Sequence, residues 1–369
     1  MISDKWLNLL GFLQQQTHTF APDAQLTDLL KSKFTFLKNQ FSNVNHSNDP
    51  RYIDWIEHEA FTAVLSDVMR EQSFTETELC CAFDLLISAK LFQLALSVVM
   101  NHQQVLEKDS FEIKRGIALQ QLGENQQAEQ AFTAAIAINP DNHMGLFHLG
   151  YIQICSGDME KATGYFKECI EKAPDFVGGY QNLAGCYYQD EAFEQAAECC
   201  EQAHRIDQTV ISSYITAVSS YLALGQLENA GDWLQRAREH QIENIELCRL
   251  GGIWAHQSGK HQQAISELSH YLEVKQEDLD VLAIRAQALA ADNQWQPLLA
   301  DLKVLLELDP FDGWNLEQMF LASYHTQQWE QAERVMAELS KVSAHYKVIH
   351  RRLIEDIRKQ QAILVTAAG

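Results

Sequence analysis

The sequence predicts an all-α solenoid of two-helix, 34-residue repeats, and three observations carry that prediction. A period of 34 residues runs from Asp109 to Tyr346 without insertion or deletion. Gly123, Gly157, Gly225 and Gly259 fall on one grid, whose other slots hold Glu191, Asn293 and Gln327; five residues on, the grid gives Ala128, Ala162, Ala196, Ala230, Ala264, Leu298 and Ala332. A fixed period of this length marks a stack of supersecondary units, each burying its apolar face on its neighbours. Apolar residues also recur at helical spacing on both sides of each grid break, as in FEIKRGIALQQL and AEQAFTAAIAI around Gly123. Finally, the chain has only six prolines, and Pro140, Pro174 and Pro310 stand where a second helix must stop.

Taken in order, residues 1–75 do not follow the period. Their amphipathic stretches WLNLLGFL, LTDLLKSKFTFLKNQF and YIDWIEHEAFTAVLSDVM predict an N-terminal helical module, with a polar loop at Ser42–Pro50. Glu76–Lys108 reads as a degenerate repeat through Leu79, Leu86, Phe92 and Ala95. Seven units then fill 109–346. A glycine at the break within a unit ends a helix cheaply, because it enters the left-handed region without penalty. Residues 347–369 read as a capping helix and tail, with Arg351, Arg352, Arg358 and Lys359 on a solvated outer face.

The best unit, Asp109–Asn142, places Gly116, Leu119, Ala128, Phe132, Ala135 and Pro140 at its eighth, eleventh, twentieth, twenty-fourth, twenty-seventh and thirty-second positions. His143–Phe176 repeats this with Leu149-Gly150, Ala162, Phe166 and Pro174, and Val177–Val210 with Leu183-Ala184, Tyr187, Ala196 and Ala203. Later units keep phase through Tyr221, Ala230 and Ala237, then Gly252 and Ala264, then Ala286, Trp295 and Leu298, then Trp329 and Ala332. With these residues the chain resembles the tetratricopeptide repeat family. Phe320 departs from the pattern, standing where the last unit should be small.

The resemblance implies a right-handed superhelix whose first helices line a concave groove. Carried over by position, the groove residues are Lys114, Met144, Phe147, His148, Tyr151, Gln181, Asn182, Tyr188, Thr216, Arg249, His256, Trp314 and Tyr324. Aromatic rings supply contact area to an extended peptide, and amides pair with its backbone. Asn182 takes the position where family members hold a peptide backbone. Its equivalents Lys114, His148, Thr216 and Leu250 make no asparagine ladder, and the lysine–asparagine–arginine carboxylate clamp is absent.

Composition narrows the function. Net charge is −22; residues 1–108 contribute −5, 109–346 contribute −20, and 347–369 contribute +3. An acidic solenoid repels phosphate backbones, so nucleic acid is not an expected partner. Solubility is the plainer reading of the charge and a cationic partner the sharper one. No apolar run reaches the ~20 residues needed to cross a bilayer, and the start does not read as a signal peptide, so a cytoplasmic location is expected. Cys80–Cys81 and Cys199–Cys200 are adjacent pairs and the other cysteines sit in repeats; they read as small packing residues, and no C-x-x-C or H-x-x-x-H spacing offers a metal site. Gly178-Gly179 and Gly251-Gly252 lie inside predicted helices, and neither G-x-S-x-G nor H-E-x-x-H occurs. The sequence therefore predicts a non-catalytic, cofactor-free scaffold or chaperone-like adaptor holding a peptide or helical segment of partner proteins. The alternative is a peptide- or protein-responsive switch with the N-terminal helices as output. Exposed array ends, with Trp314, Phe320 and Trp329, are candidate homodimer surfaces.

Overall fold

Every regular element among the described residues is a helix. The computed structural model describes residues 75–88 and 90–368, so the expected N-terminal module lies outside the described residues. The chain forms two compact units, one ending at Gly179 and the other beginning at Tyr180.

The first unit contains α1 (Glu76–Ser88), α2 (Phe92–Asn101), α3 (Lys108–Gln121), α4 (Asn125–Ile138), α5 (His143–Ser156) and α6 (Met159–Lys172). α7 (Val177–Gln189) leads into the second unit. There follow α8 (Phe193–Ile206), α9 (Ile211–Ala223), α10 (Leu227–Glu239), α11 (Ile245–Gln257), α12 (His261–Val274), α13 (Leu279–Ala291), α14 (Trp295–Leu308), α15 (Gly313–His325) and α16 (Trp329–Val342). The short α17 (His345–Ile349) and the long α18 (Arg351–Ala368) close the chain.

The break between the two helices of each repeat is one device used seven times. All seven grid residues have left-handed backbone, from φ 57° at Glu191 to φ 82° at Gly123 and Gly157. At Gly123 the residue's own N–H donates to Gln120 O at 3.0 Å, and Glu124 N–H reaches back to Leu119 O at 2.9 Å. This pair of bonds satisfies carbonyls that the ended helix leaves open. The same pair forms at Glu191, Asn293 and Gln327, where a side chain must tolerate the left-handed turn. An added Cβ at Gly157 would meet nothing within 4 Å, so glycine there answers to backbone conformation alone. Glu191→Gly is therefore expected to raise stability by about 0.5–1 kcal/mol and Gly157→Ala to lower it by about as much. Urea midpoints of the two variants check this; shifts of the same sign would contradict it.

Between repeats, several first helices start on side-chain caps. Asn142, Asp278 and Asp312 accept hydrogen bonds from the N–H of Gly145, Val281 and Asn315 at 2.6–3.1 Å. α8 stops without the proline of other units: Asp207 accepts from the Thr209 N–H and hydroxyl at 2.8 and 2.7 Å, turning the chain at Gln208.

Packing follows an exchange of volume between the eighth and twenty-fourth positions. In the first unit Gly116 faces Phe132 and Gly150 faces Phe166 so closely that an added Cβ would lie 2.5 and 2.8 Å from the ring. Both rings are fully buried. At the last repeat the exchange reverses. Phe320 is fully buried at the eighth position, and the pliant Met336 takes the twenty-fourth, in one cluster with Leu316, Ala332, Leu339 and Ile357 of α18. α15 and α16 keep their full lengths around this bulk.

Candidate functional site

Within each unit, first helices of successive repeats touch: α3 meets α5, α9 meets α11, and α11 meets α13. Most of the residues carried over from the repeat pattern lie on this layer, but few of them are idle.

In the first unit, Lys114 places its ammonium 3.6 Å from Asp84 and 4.7 Å above the Phe83 ring, so its charge already has a partner within the chain. Met144 packs half-buried on the cluster around Phe132 and Leu149. Phe147 stands edge-on to Phe176 at 5.1 Å and tilts toward Phe166 at 5.9 Å. His148 stacks on Phe132 at 4.8 Å, nearly parallel. Its Nδ1 lies 3.1 Å from Gln120 Oε1; with that oxygen as acceptor, Nδ1 carries the proton. Its Nε2 and the Gln120 Nε2 are buried without a protein partner. Tyr151 is 46% exposed.

Burial pushes the His148 imidazole down to about 4 from an ordinary value of 6.5. A depressed histidine supports the fold fully above pH 6.5, loses that contribution as pH falls toward 4, and loses no more below it. The whole loss is about 3 kcal/mol. His148→Gln should therefore flatten the acid limb of stability against pH between 6.5 and 4. Parallel limbs for the two proteins would count against it.

In the second unit, Gln181 donates from Nε2 to the Ser212 hydroxyl at 2.7 Å, and Asn182 is half-buried beside it. Tyr188 is 38% exposed and meets Phe193 edge-on at 5.3 Å. Thr216 is half-buried, its carbonyl accepting from the Ser220 hydroxyl. Arg249 donates from Nε to Glu246 of its own helix at 2.8 Å. His256 is half-buried, its ring 6.0 Å from that of His261, and burial followed by the His261 charge lowers its pKa. Tyr324 donates to Asp356 of α18 at 2.8 Å, which fastens the terminal helix. Trp314 is 38% exposed at the start of α15. Exposed aromatic surface in the carried-over set thus reduces to Tyr151 in one unit and Tyr188 and Trp314 in the other.

Residues 113–176 match the tetratricopeptide repeat family model, over the two units with the sharpest glycine–phenylalanine crossings. Over these residues the chain carries tetratricopeptide repeats. A TPR repeat-containing protein of Methanocaldococcus jannaschii is 20% identical over 197 residues, which make up 50% of this chain and 34% of that protein. Photosystem I assembly protein Ycf3 of Acaryochloris marina is 32% identical over 105 residues, 27% of this chain and 63% of that protein. The chain thus spans less than two thirds of either relative. The solved structure of Pseudomonas aeruginosa pilF shares the fold with a TM-score of 0.52 at 15% identity, over 60% of this chain and 99% of that one.

Tetratricopeptide arrays generally mediate protein–protein interaction, and two further observations bear on chemistry here. Among the described residues no group of three or more His, Cys, Asp or Glu is placed to hold a metal, and no helix is long and apolar enough to cross a membrane. Cys169, Cys186, Cys199 and Cys200 are buried, and burial raises the Cys200 thiol. Sequence reasoning missed the engagement of Lys114 and Tyr324, whose partners Asp84 and Asp356 sit at positions with no periodic signature, and overlooked the Glu246–Arg249 pair that i,i+3 spacing could have shown.

Proposed function

We propose that the chain is a non-catalytic scaffold that holds a peptide or helical segment of partner proteins on its first-helix layer. The observation that carries this is the exposure of Tyr151 and Tyr188 on helices whose other large apolar side chains are buried or half-buried. A ring left in water on a packed repeat gives broad contact at low entropic cost. Half-buried amides beside Tyr188 on α7, Gln181 and Asn182, offer hydrogen bonds to a backbone. Ycf3 is an assembly protein of photosystem I, and the similarity to it supports a chaperone-like adaptor here. The acidic surface adds electrostatic attraction for a cationic segment.

The test is capture of partners from a source lysate by the full chain and by Tyr151→Ala/Tyr188→Ala. Both rings are exposed, so unfolding midpoints should agree within about 0.5 kcal/mol while captured partners fall at least tenfold. An unchanged captured set sinks the groove reading, all the more if removal of residues 1–75 abolishes capture.

A further inference from the structure

The second unit has another surface, apart from the exposed aromatic rings of the groove. In an antiparallel hairpin the end of the second helix and the start of the next first helix share one edge. Val274, Leu308 and Val342 end successive second helices at the same repeat position, and they are 60%, 61% and 42% exposed. Phe311, in the loop after Leu308, is 62% exposed. Large apolar side chains repeated at one register and left in water are a binding surface, not scatter.

A hollow continues this edge. α10 ends one residue short of its equivalents, and Gln241 turns left-handed at φ 54° where the equivalent residues of other repeats keep a negative φ. The chain then folds Ile242 back, with its N–H on Ala237 O at 2.9 Å. The space opened measures about 560 Å³ and is lined by Leu234, Ile242, Ile245 and Leu247, with Glu243, Glu267 and His270 among the remaining walls. His270 stands one helical turn before Val274, so hollow and stripe share a face of α12.

Charge selects the occupant. In the stretches 240–245, 273–280, 307–312 and 341–347, Glu243, Glu273, Glu277, Asp280, Glu307 and Asp309 are exposed carboxylates, against the exposed ammoniums of Lys275, Lys341 and Lys347, while Arg238 in the wall of the hollow is paired with Glu267. Two copies of this edge would set carboxylate against carboxylate, which disfavours self-pairing. Val274, Leu308 and Val342 recur once per repeat, and apolar residues at heptad spacing, about 10 Å apart along a helix, supply a regular stripe to meet them. The geometry points to a docking edge for a basic amphipathic helix of a partner protein. Its apolar residues, seven apart, seat in the hollow and on Val274, Leu308 and Val342, and its lysines and arginines face the carboxylates.

The full chain is titrated, by fluorescence anisotropy, into two labelled 21-residue helical peptides with leucines at heptad spacing. One carries lysine at the remaining positions and the other glutamate. The lysine peptide should bind at least tenfold tighter, with the difference shrinking at high salt. Leu308→Asp/Phe311→Asp changes only exposed residues and should weaken it at least tenfold, as should the charge reversal Glu273→Lys/Glu277→Lys; Tyr188→Ala should not. Equal binding of both peptides, or indifference to both edge variants, overturns the proposal. Loss on Tyr188→Ala alone moves the peptide to the groove and overturns it while supporting the groove reading. Sedimentation of the chain alone should show no association; association abolished by the edge variants would assign the edge to a second copy and overturn it too.

Discussion

Arg285→Ala should destabilise the second unit by about 3–5 kcal/mol, with unfolding followed by circular dichroism in urea. Arg285 on α13 grips Asp301 on α14 with two parallel bonds, Nε to Oδ2 at 2.9 Å and a terminal amine to Oδ1 at 2.6 Å. A further amine donates to the Ser269 hydroxyl on α12 at 3.2 Å, so one guanidinium ties three consecutive helices. The Asp301 side chain is only 4% exposed and that of Arg285 21%. Truncating the arginine leaves a carboxylate in the core with no counter-charge, which costs far more than the pair contributes. That asymmetry makes a second expectation. The double variant Arg285→Met/Asp301→Leu removes both charges and should recover most of the loss. Equal losses in single and double variants would mean that lost packing, not the stranded carboxylate, sets the effect.

Phe166→Ala should cost about 3–5 kcal/mol in the first unit, because it empties a fully buried ring site. Gly150→Ala should cost about 1–3 kcal/mol from the opposite cause, since its methyl would stand 2.8 Å from that ring. The two sites exchange volume directly, so their effects should not add. Gly150→Ala/Phe166→Leu should be less destabilised than the sum of its single variants, with a coupling energy above about 0.5 kcal/mol in a double-mutant cycle. Strict additivity would show that the crossing is not governed by this contact.

Periodic features were legible in the sequence, and singular ones were not. The left-handed breaks, the small residues at the crossings and the prolines after second helices recur every 34 residues, and repetition lifts them above noise. Phe320 stood out as a departure, but its accommodation depends on Met336, sixteen residues away on the facing helix. Arg285 with Asp301, and Tyr324 with Asp356, occur once each and leave no pattern. Of the groove residues, position in the repeat gave the helix and the layer. It could not reveal that Lys114 was already engaged by Asp84, thirty residues away, whereas Arg249 pairs with Glu246 three residues earlier on its own helix, a spacing the sequence does carry.

The volume exchange lies within one repeat: Gly116 with Phe132, Gly150 with Phe166, Gly252 with Leu268. Each 34-residue block therefore brings both halves of its own lock. Loss or duplication of one whole block leaves every remaining lock intact, whereas a cut through the middle of a block separates the two halves of that block's lock. Array length is for this reason an inheritable dimension that can change in steps of one repeat, lengthening or shortening the reach of the molecule without redesign of its core.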